Sequence, residues 1–176
     1  GTAVGEVLFG DVNPAGRLPF TVPQSEGQLP LRYLHLPTGR GDDYADLSGQ
    51  PLFPFGHGLS YTTFEYSALQ IVPLGAARFD VRATIRNSGG RAGDEVVQLY
   101  LRDEVATHAQ PVLQLAGFAR VWLEAGEARE IRFTLGPEQL AVLDAALNPV
   151  VEPGAFTVYV GASSRDIRLR GTLEVR

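Results

Sequence analysis

Cysteine, methionine and lysine are all missing from this 176-residue chain, and tryptophan occurs once. Without cysteine there are no disulfides, thiol nucleophiles or thiolate metal sites, yet the compartment stays open among periplasm, exterior and cytoplasm, because exported proteins also lack cysteine at times. Without lysine there is no Schiff-base former and no P-loop cation; all fifteen basic residues are arginine. Positive charge is also outnumbered, fifteen to twenty, and the net charge of −5 with no basic block removes the electrostatic footprint of a nucleic-acid binder. No run is apolar and long enough to cross a membrane, and nothing at the N-terminus has the form of a signal peptide. The lack of methionine and the start at Gly1, Thr2 and Ala3 read as a piece of a longer polypeptide. The histidines, His35, His57 and His108, have neither thiolate partners nor His-x-x-x-His spacing, so no metal is expected, and no motif asks for a cofactor.

What the chain does have is apolar content of 44%, sufficient for the core of one domain of roughly 100–150 residues with a remainder. Three parts follow. In residues 1–23, Val4, Val7 and Leu8 stand at helical spacing and Gly10 suits the position just past a helix, while Asn13, Pro14 and Gly16 turn the chain into a short apolar strand over Leu18–Val22 that Pro23 stops. Residues 24–61 are rich in glycine, proline and aromatics, too long for an ordinary connection and too aromatic for a disordered linker. From residue 62 to 176 the hydrophobic period becomes two.

Phe79, Val81, Ala83 and Ile85 alternate with polar residues, as do Ile131, Phe133 and Leu135, and Ile167, Leu169, Leu173 and Val175; each pattern predicts a strand with one wet face. Further strands fit Glu65–Val72, Asp94–Arg102, Leu115–Leu123 and Phe156–Gly161. Seven strands at this spacing predict a mainly β protein: an antiparallel fibronectin III or immunoglobulin-like sandwich. Asn87, Ser88 and Gly89 read as a hairpin turn, Trp122 as part of the sandwich core or its interface, and Pro137–Asn148 as either a helical turn or an extended piece.

The most informative stretch is FPFGHGLSYTTF, Phe53–Phe64, a glycine-flanked histidine between aromatic anchors at the junction of connector and strands. With GDVNPAGRLPFTVP at Gly10–Pro23, LPTGRG at Leu36–Gly41, the Tyr44–Asp46 stretch, RNSGGRAGDEVVQLYLRD at Arg86–Asp103, LAGFARVWLEAGEA at Leu115–Ala128 and VEPGAFTVYVG at Val151–Gly161, it resembles the C-terminal region of family-3 glycoside hydrolases, the β-glucosidase and β-xylosidase family. The resemblance covers nearly the whole chain in the family's order. It implies the end of an α/β sandwich domain, an interdomain loop and a fibronectin type III-like domain. Its implied partners are the N-terminal catalytic domains of the same enzyme, and the implied substrate of the full-length protein is a β-linked oligosaccharide or glycoside cleaved with retention.

Retention uses two carboxyl groups about 5–5.5 Å apart. The family's nucleophilic aspartate stands in a Ser-Asp-Trp type setting, whereas the one tryptophan here, Trp122, follows Val121; the Lys-His pattern of the barrel is missing as well. The resemblance therefore implies a chain that is inert by itself, with no catalytic residue. The adjacent carboxylates Asp42 with Asp43, Asp94 with Glu95 and Asp103 with Glu104 read as solvated turn and edge charges, since neighbours on a strand point to opposite faces.

Two residues are candidates for contact with substrate in the full-length enzyme. Tyr44 lies in the loop that in this family reaches back toward the catalytic cleft, and its ring offers an apolar face to a pyranose; the competing expectation is an anchor for the loop. His57 either lies near the sugar or donates a hydrogen bond within the connector. Beside the support role stand a free-standing carbohydrate-binding or adhesion module, which flat aromatic platforms would favour, and an independent small hydrolase, which only the carboxylate pairs suggest.

Overall fold

A computed structural model describes residues 1–38 and 43–176. Two antiparallel sheets form the bulk of it. Strands β1 (Phe64–Gly75), β2 (Arg78–Asn87) and β5 (Ala128–Leu135) make one sheet in the order β1-β2-β5. Strands β3 (Gly93–Asp103), β4 (Gln114–Leu123), β8 (Gly154–Gly161) and β9 (Ile167–Val175) make the other in the order β4-β3-β8-β9. The alternation that predicts the strands also fixes which residues meet between the sheets: Val81, Ile85, Val97, Leu99, Leu123 and Leu135 are among those wholly removed from solvent. Seven strands split three and four confirm the sandwich, and their ends depart from the expected ones by at most three residues.

Pro137–Asn148 combines both of its expected forms. Pro137–Leu140 is one helical turn, α2, started by Pro137 at its first position and by the amide of Gly136 donating to Gln139 Oε1 (2.9 Å). Val142–Leu143 (β6) and Pro149–Val150 (β7) then pair as a minimal hairpin.

Two expectations need correction here. Asn87–Gly89 is not a hairpin turn, because β2 and β3 belong to different sheets; the segment carries the chain across the sandwich. Leu18–Val22 is not a strand but carries an isolated bridge, Val22 with Phe53. Its facing segment contains Pro54 and Gly56, the latter at φ +81°, so the two runs exchange bonds at Leu18–His57, Gly56–Leu18, Val22–Phe53 and Leu52–Val22 without a continuous ladder. Ahead of it, helix α1 (Thr2–Phe9) ends as predicted on Gly10 in the left-handed region.

Among the described residues no helix is long and apolar enough to cross a membrane.

Candidate functional site

The N-terminal segment and the connector meet the sandwich along one seam. Asn13, set by the Asn-Pro turn, accepts from the Tyr61 amide (2.8 Å) and Ser60 Oγ (3.1 Å) through Oδ1, and donates to the carbonyl of Ala92. The hydroxyl of Tyr61 donates to the Val7 carbonyl (2.7 Å), and Arg91 lies over the Tyr61 ring while donating to the Gly10 carbonyl. Beneath these, Arg17 donates to Glu95 at 2.8 Å, with side chains only 11% and 5% exposed. A buried pair of this kind is held by its mutual attraction and by added hydrogen bonds, here from the Val96 amide to Glu95 and from Arg17 to the Gly16 carbonyl. The reading of Glu95 as a solvated edge charge is thus overturned: it lies inside the seam because Arg17 neutralises it. Tyr66, beside this pair, has its hydroxyl pushed well above the ordinary phenol range, chiefly by burial and next by the Glu95 charge.

The glycines flanking His57 have separate reasons. Gly56 holds φ +81°, and a Cβ there would sit 2.1 Å from Gln98 Oε1; one at Gly58 would sit 2.3 Å from the Gly16 carbonyl oxygen. Gln98, buried on the outward register of β3, donates to the carbonyls of Gly56 (3.2 Å) and Ala162 (2.6 Å) and accepts from the Tyr100 hydroxyl (2.6 Å). Tyr33 stacks on Phe55 with centroids 4.1 Å apart and meets Tyr100 edge-on, and the Ser164 amide donates to the Phe55 carbonyl. Tyr33 and Phe55 of the connector therefore cover the outer face of the four-stranded sheet around Tyr100.

Asn87 is the polar centre at one end of the sandwich. Wholly buried, it accepts from Thr62 Oγ1 (2.6 Å) and from the Gly89 amide, and donates to the carbonyls of Arg91 (2.7 Å) and Leu123 (3.1 Å). Its satisfied amide joins the start of β1, the crossing segment and the end of β4. Nothing in the strand periodicity singles it out, although an asparagine closing a strand before Ser-Gly-Gly is a usable hint.

An open cleft of about 540 Å³ lies between the connector and the β8–β9 loop. Tyr44, 48% exposed, lines it together with Arg32, Tyr33, His35, Asp43 and Arg165. Asp43 is committed, accepting from the Gly49 amide (2.9 Å) and Ser48 Oγ. The buried Gln28 holds the loop's base, accepting from the Gln24 amide (2.6 Å) and donating to the carbonyls of Ser48 and Gln50. His57 does not line this cleft; it stacks on Phe53 at 4.9 Å, and its backbone bonds Leu18 and Pro54. The two candidate residues are not brought together.

Among the described residues the carboxylate pairs form no dyad. Asp42 lies outside the described residues. Asp94 pairs with Arg120 (2.6 Å) on the outer surface while Glu95 points inward; Asp103, its carboxyl raised chiefly by burial, accepts from the Val105 amide, and Glu104 accepts from Thr157 Oγ1. Trp122 is 49% exposed on β4 opposite Asp94, since its register puts it outside while Val121 and Leu123 enter the core. It is a surface residue facing Asp11 and Val12 across a shallow hollow, not a core residue. Among the described residues no cluster of histidine and carboxylate side chains could hold a metal ion.

The profile of the Glycosyl hydrolase family 3 C-terminal domain matches residues 1–61, and that of the Fibronectin type III-like domain matches residues 95–164. A β-xylosidase of Formosa agariphila is 44% identical over 94% of this chain and 24% of its own length; a periplasmic β-glucosidase of Salmonella typhimurium is 38% identical over 99% and 24%. The solved structure of a β-glucosidase from Erythrobacter marinus superposes with a TM-score of 0.93 at 43% identity, covering 99% of this chain and 23% of that one. The β-glucosidase of Listeria innocua in complex with glucose gives 0.91 at 35% identity, over 98% and 26%. The chain thus spans about a quarter of the length of the relatives it matches. On these matches it belongs to the family-3 glycoside hydrolases, as the C-terminal region in which the end of the α/β domain passes through a connector into a fibronectin type III-like sandwich.

Proposed function

We propose that this chain is the C-terminal support of a retaining β-glucosidase-type enzyme that releases terminal β-linked sugars, and that its partners are the catalytic domains of the same protein. The observation that carries the reading is the seam: Arg17 and Glu95, Asn13 and Ala92, and Gly56 and Gln98 lock residues 1–61 to the sandwich through buried and half-buried polar contacts. Such contacts suit a fixed mount better than a tethered binding module, which needs only a flexible joint. We place the divisions at 1–23 for the end of the α/β domain, 24–61 for the connector and 62–176 for the sandwich. Neither catalytic carboxyl is assigned to this chain, so its contribution is to hold the connector in place.

Tyr44 is the side chain we assign to substrate, its half-exposed ring bordering the cleft of about 540 Å³ that the connector lines. His57, stacked on Phe53 and half-buried away from that cleft, serves as a brace for the connector.

The test compares the isolated chain with the full-length enzyme on an aryl β-glucoside. Turnover is expected from the full-length enzyme alone, and Tyr44→Ala in it should raise KM several-fold. A rate from the isolated chain that vanishes on changing one of its own carboxylates would overturn the proposal.

A further inference from the structure

The cleft beside Tyr44 continues onto the sandwich. A second hollow of about 280 Å³ shares Tyr33, His35, Ser164 and Arg165 with it and runs on to Tyr159 of β8. Arg165 therefore stands where the two meet. Its backbone is fixed: Ser163 Oγ accepts from the amides of Arg165 (3.3 Å) and Asp166 (2.9 Å), and the next residue upstream, Ser164, donates its amide to Phe55 of the connector (3.0 Å). Its guanidinium is exposed and makes no ion pair among the described residues, and the same is true of Arg32 across the cleft.

Eight of the described arginines are paired with carboxylates, whereas Arg32 and Arg165 belong to the unpaired remainder and are the two that line this cleft. The one described carboxylate lining the cleft, Asp43, already accepts from Ser48 and Gly49. The lining thus presents two free guanidinium groups against one committed acid, walled by the rings of Tyr33 and Tyr44. A guanidinium takes a carboxylate through two parallel bonds, which an ammonium cannot do, and a loop held in place beforehand loses little freedom on binding. Aromatic walls suit the C–H face of a pyranose.

From this we infer that the groove binds a β-linked oligosaccharide carrying a uronic acid, with Arg165 and Arg32 taking the carboxylate and Tyr44 lying against a neighbouring sugar ring. This deepens the proposed function and rests on it: the sandwich becomes a determinant of which acidic glycan is retained near the catalytic domains. Inorganic anions use the arginines without the rings, and neutral glycans use the rings without the arginines.

Isothermal titration calorimetry on the full-length enzyme tests this, with xylotriose bearing one glucuronic acid branch, neutral xylotetraose and free glucuronate as probes. The branched acid is expected to bind at least tenfold more tightly than either comparison. Arg165→Gln and Arg32→Gln should each remove most of that preference, and Arg165→Lys should keep part of it. Equal affinity for acidic and neutral tetrasaccharides, or a preference that survives the double Arg32→Gln, Arg165→Gln variant, overturns the inference. Turnover of an aryl β-glucoside by the unaltered enzyme reads the catalytic assignment separately, so failure of one is distinguished from failure of the other.

Discussion

Arg17 and Glu95 lie 78 positions apart in sequence, yet their side chains meet at 2.8 Å with almost no solvent around them. Removing one partner leaves a buried charge without its counter-ion, which costs more than the pair itself contributes. Arg17→Met and Glu95→Leu should each destabilise by about 3–5 kcal/mol, and the double variant by clearly less than their sum. Urea denaturation of the four proteins gives the coupling; additive losses would show that the two groups do not depend on each other.

Phe156 is 4% exposed and Phe133 is partly buried against Gly117 of β4. Phe156→Ala should cost about 3–5 kcal/mol and Phe133→Ala less, while Arg132→Ala, exposed and paired to Glu130, should cost under about 1 kcal/mol. Thermal unfolding ranks them, and a loss at Arg132 as large as at Phe133 would put the register one residue out.

The seven strands were open to this kind of reading because alternation over six or more residues has a single cause, one face buried and one wet. Leu18–Val22 carries the same apolar signal, but a ladder also needs a regular partner, and the residues opposite it include Pro54 and a left-handed Gly56. Burial of Glu95 and Asn87 was not legible, since it depends on Arg17 and Thr62, which arrive from distant parts of the chain. For Trp122 the size of the ring suggests core or interface, and its parity within β4 decides against the core by sending it outward, toward Asp11 and Val12. Of the candidate site, Tyr44 could be picked from the loop, whereas Arg165 enters the cleft only through the folded β8–β9 turn.

The β1–β2 turn holds Ala76 at φ +50° and Ala77 at φ +54°. Side chains with a Cβ pay for this geometry by roughly 1–2 kcal/mol per residue. Ala77→Gly should therefore raise stability by about 1 kcal/mol, whereas Gly10→Ala, at φ +83° beside Arg91, should lower it. Melting temperatures decide; a fall for Ala77→Gly would refute the strained turn.

Acid should loosen two loops. Asp144 is held below the ordinary carboxylate range chiefly by the Asn148 amide, and Glu152 chiefly by the Thr107 amide. A carboxyl lowered in the folded state stabilises it above the unfolded pKa of about 4, and that contribution disappears as pH falls through the lowered value. Asp103, raised by burial, works in the opposite sense, so its protonation favours the fold. Hydrogen exchange at Asn148 and Thr107, corrected for intrinsic rates, should accelerate below about pH 4, with β3 and β8 unchanged. Constant protection at both amides would count against these bonds.

Gly56 leaves no room for a Cβ beside the Gln98 amide, which restricts how this domain can be exchanged. A chimera spliced at Thr62, importing another enzyme's sandwich, would separate the glycine from the glutamine shaped around it and Asn13 from the Ala92 carbonyl it bonds. Splicing upstream of Asn13 carries both halves of each contact together. The unit that carries both of these contacts is therefore longer than the sandwich, and it begins at or before Asn13.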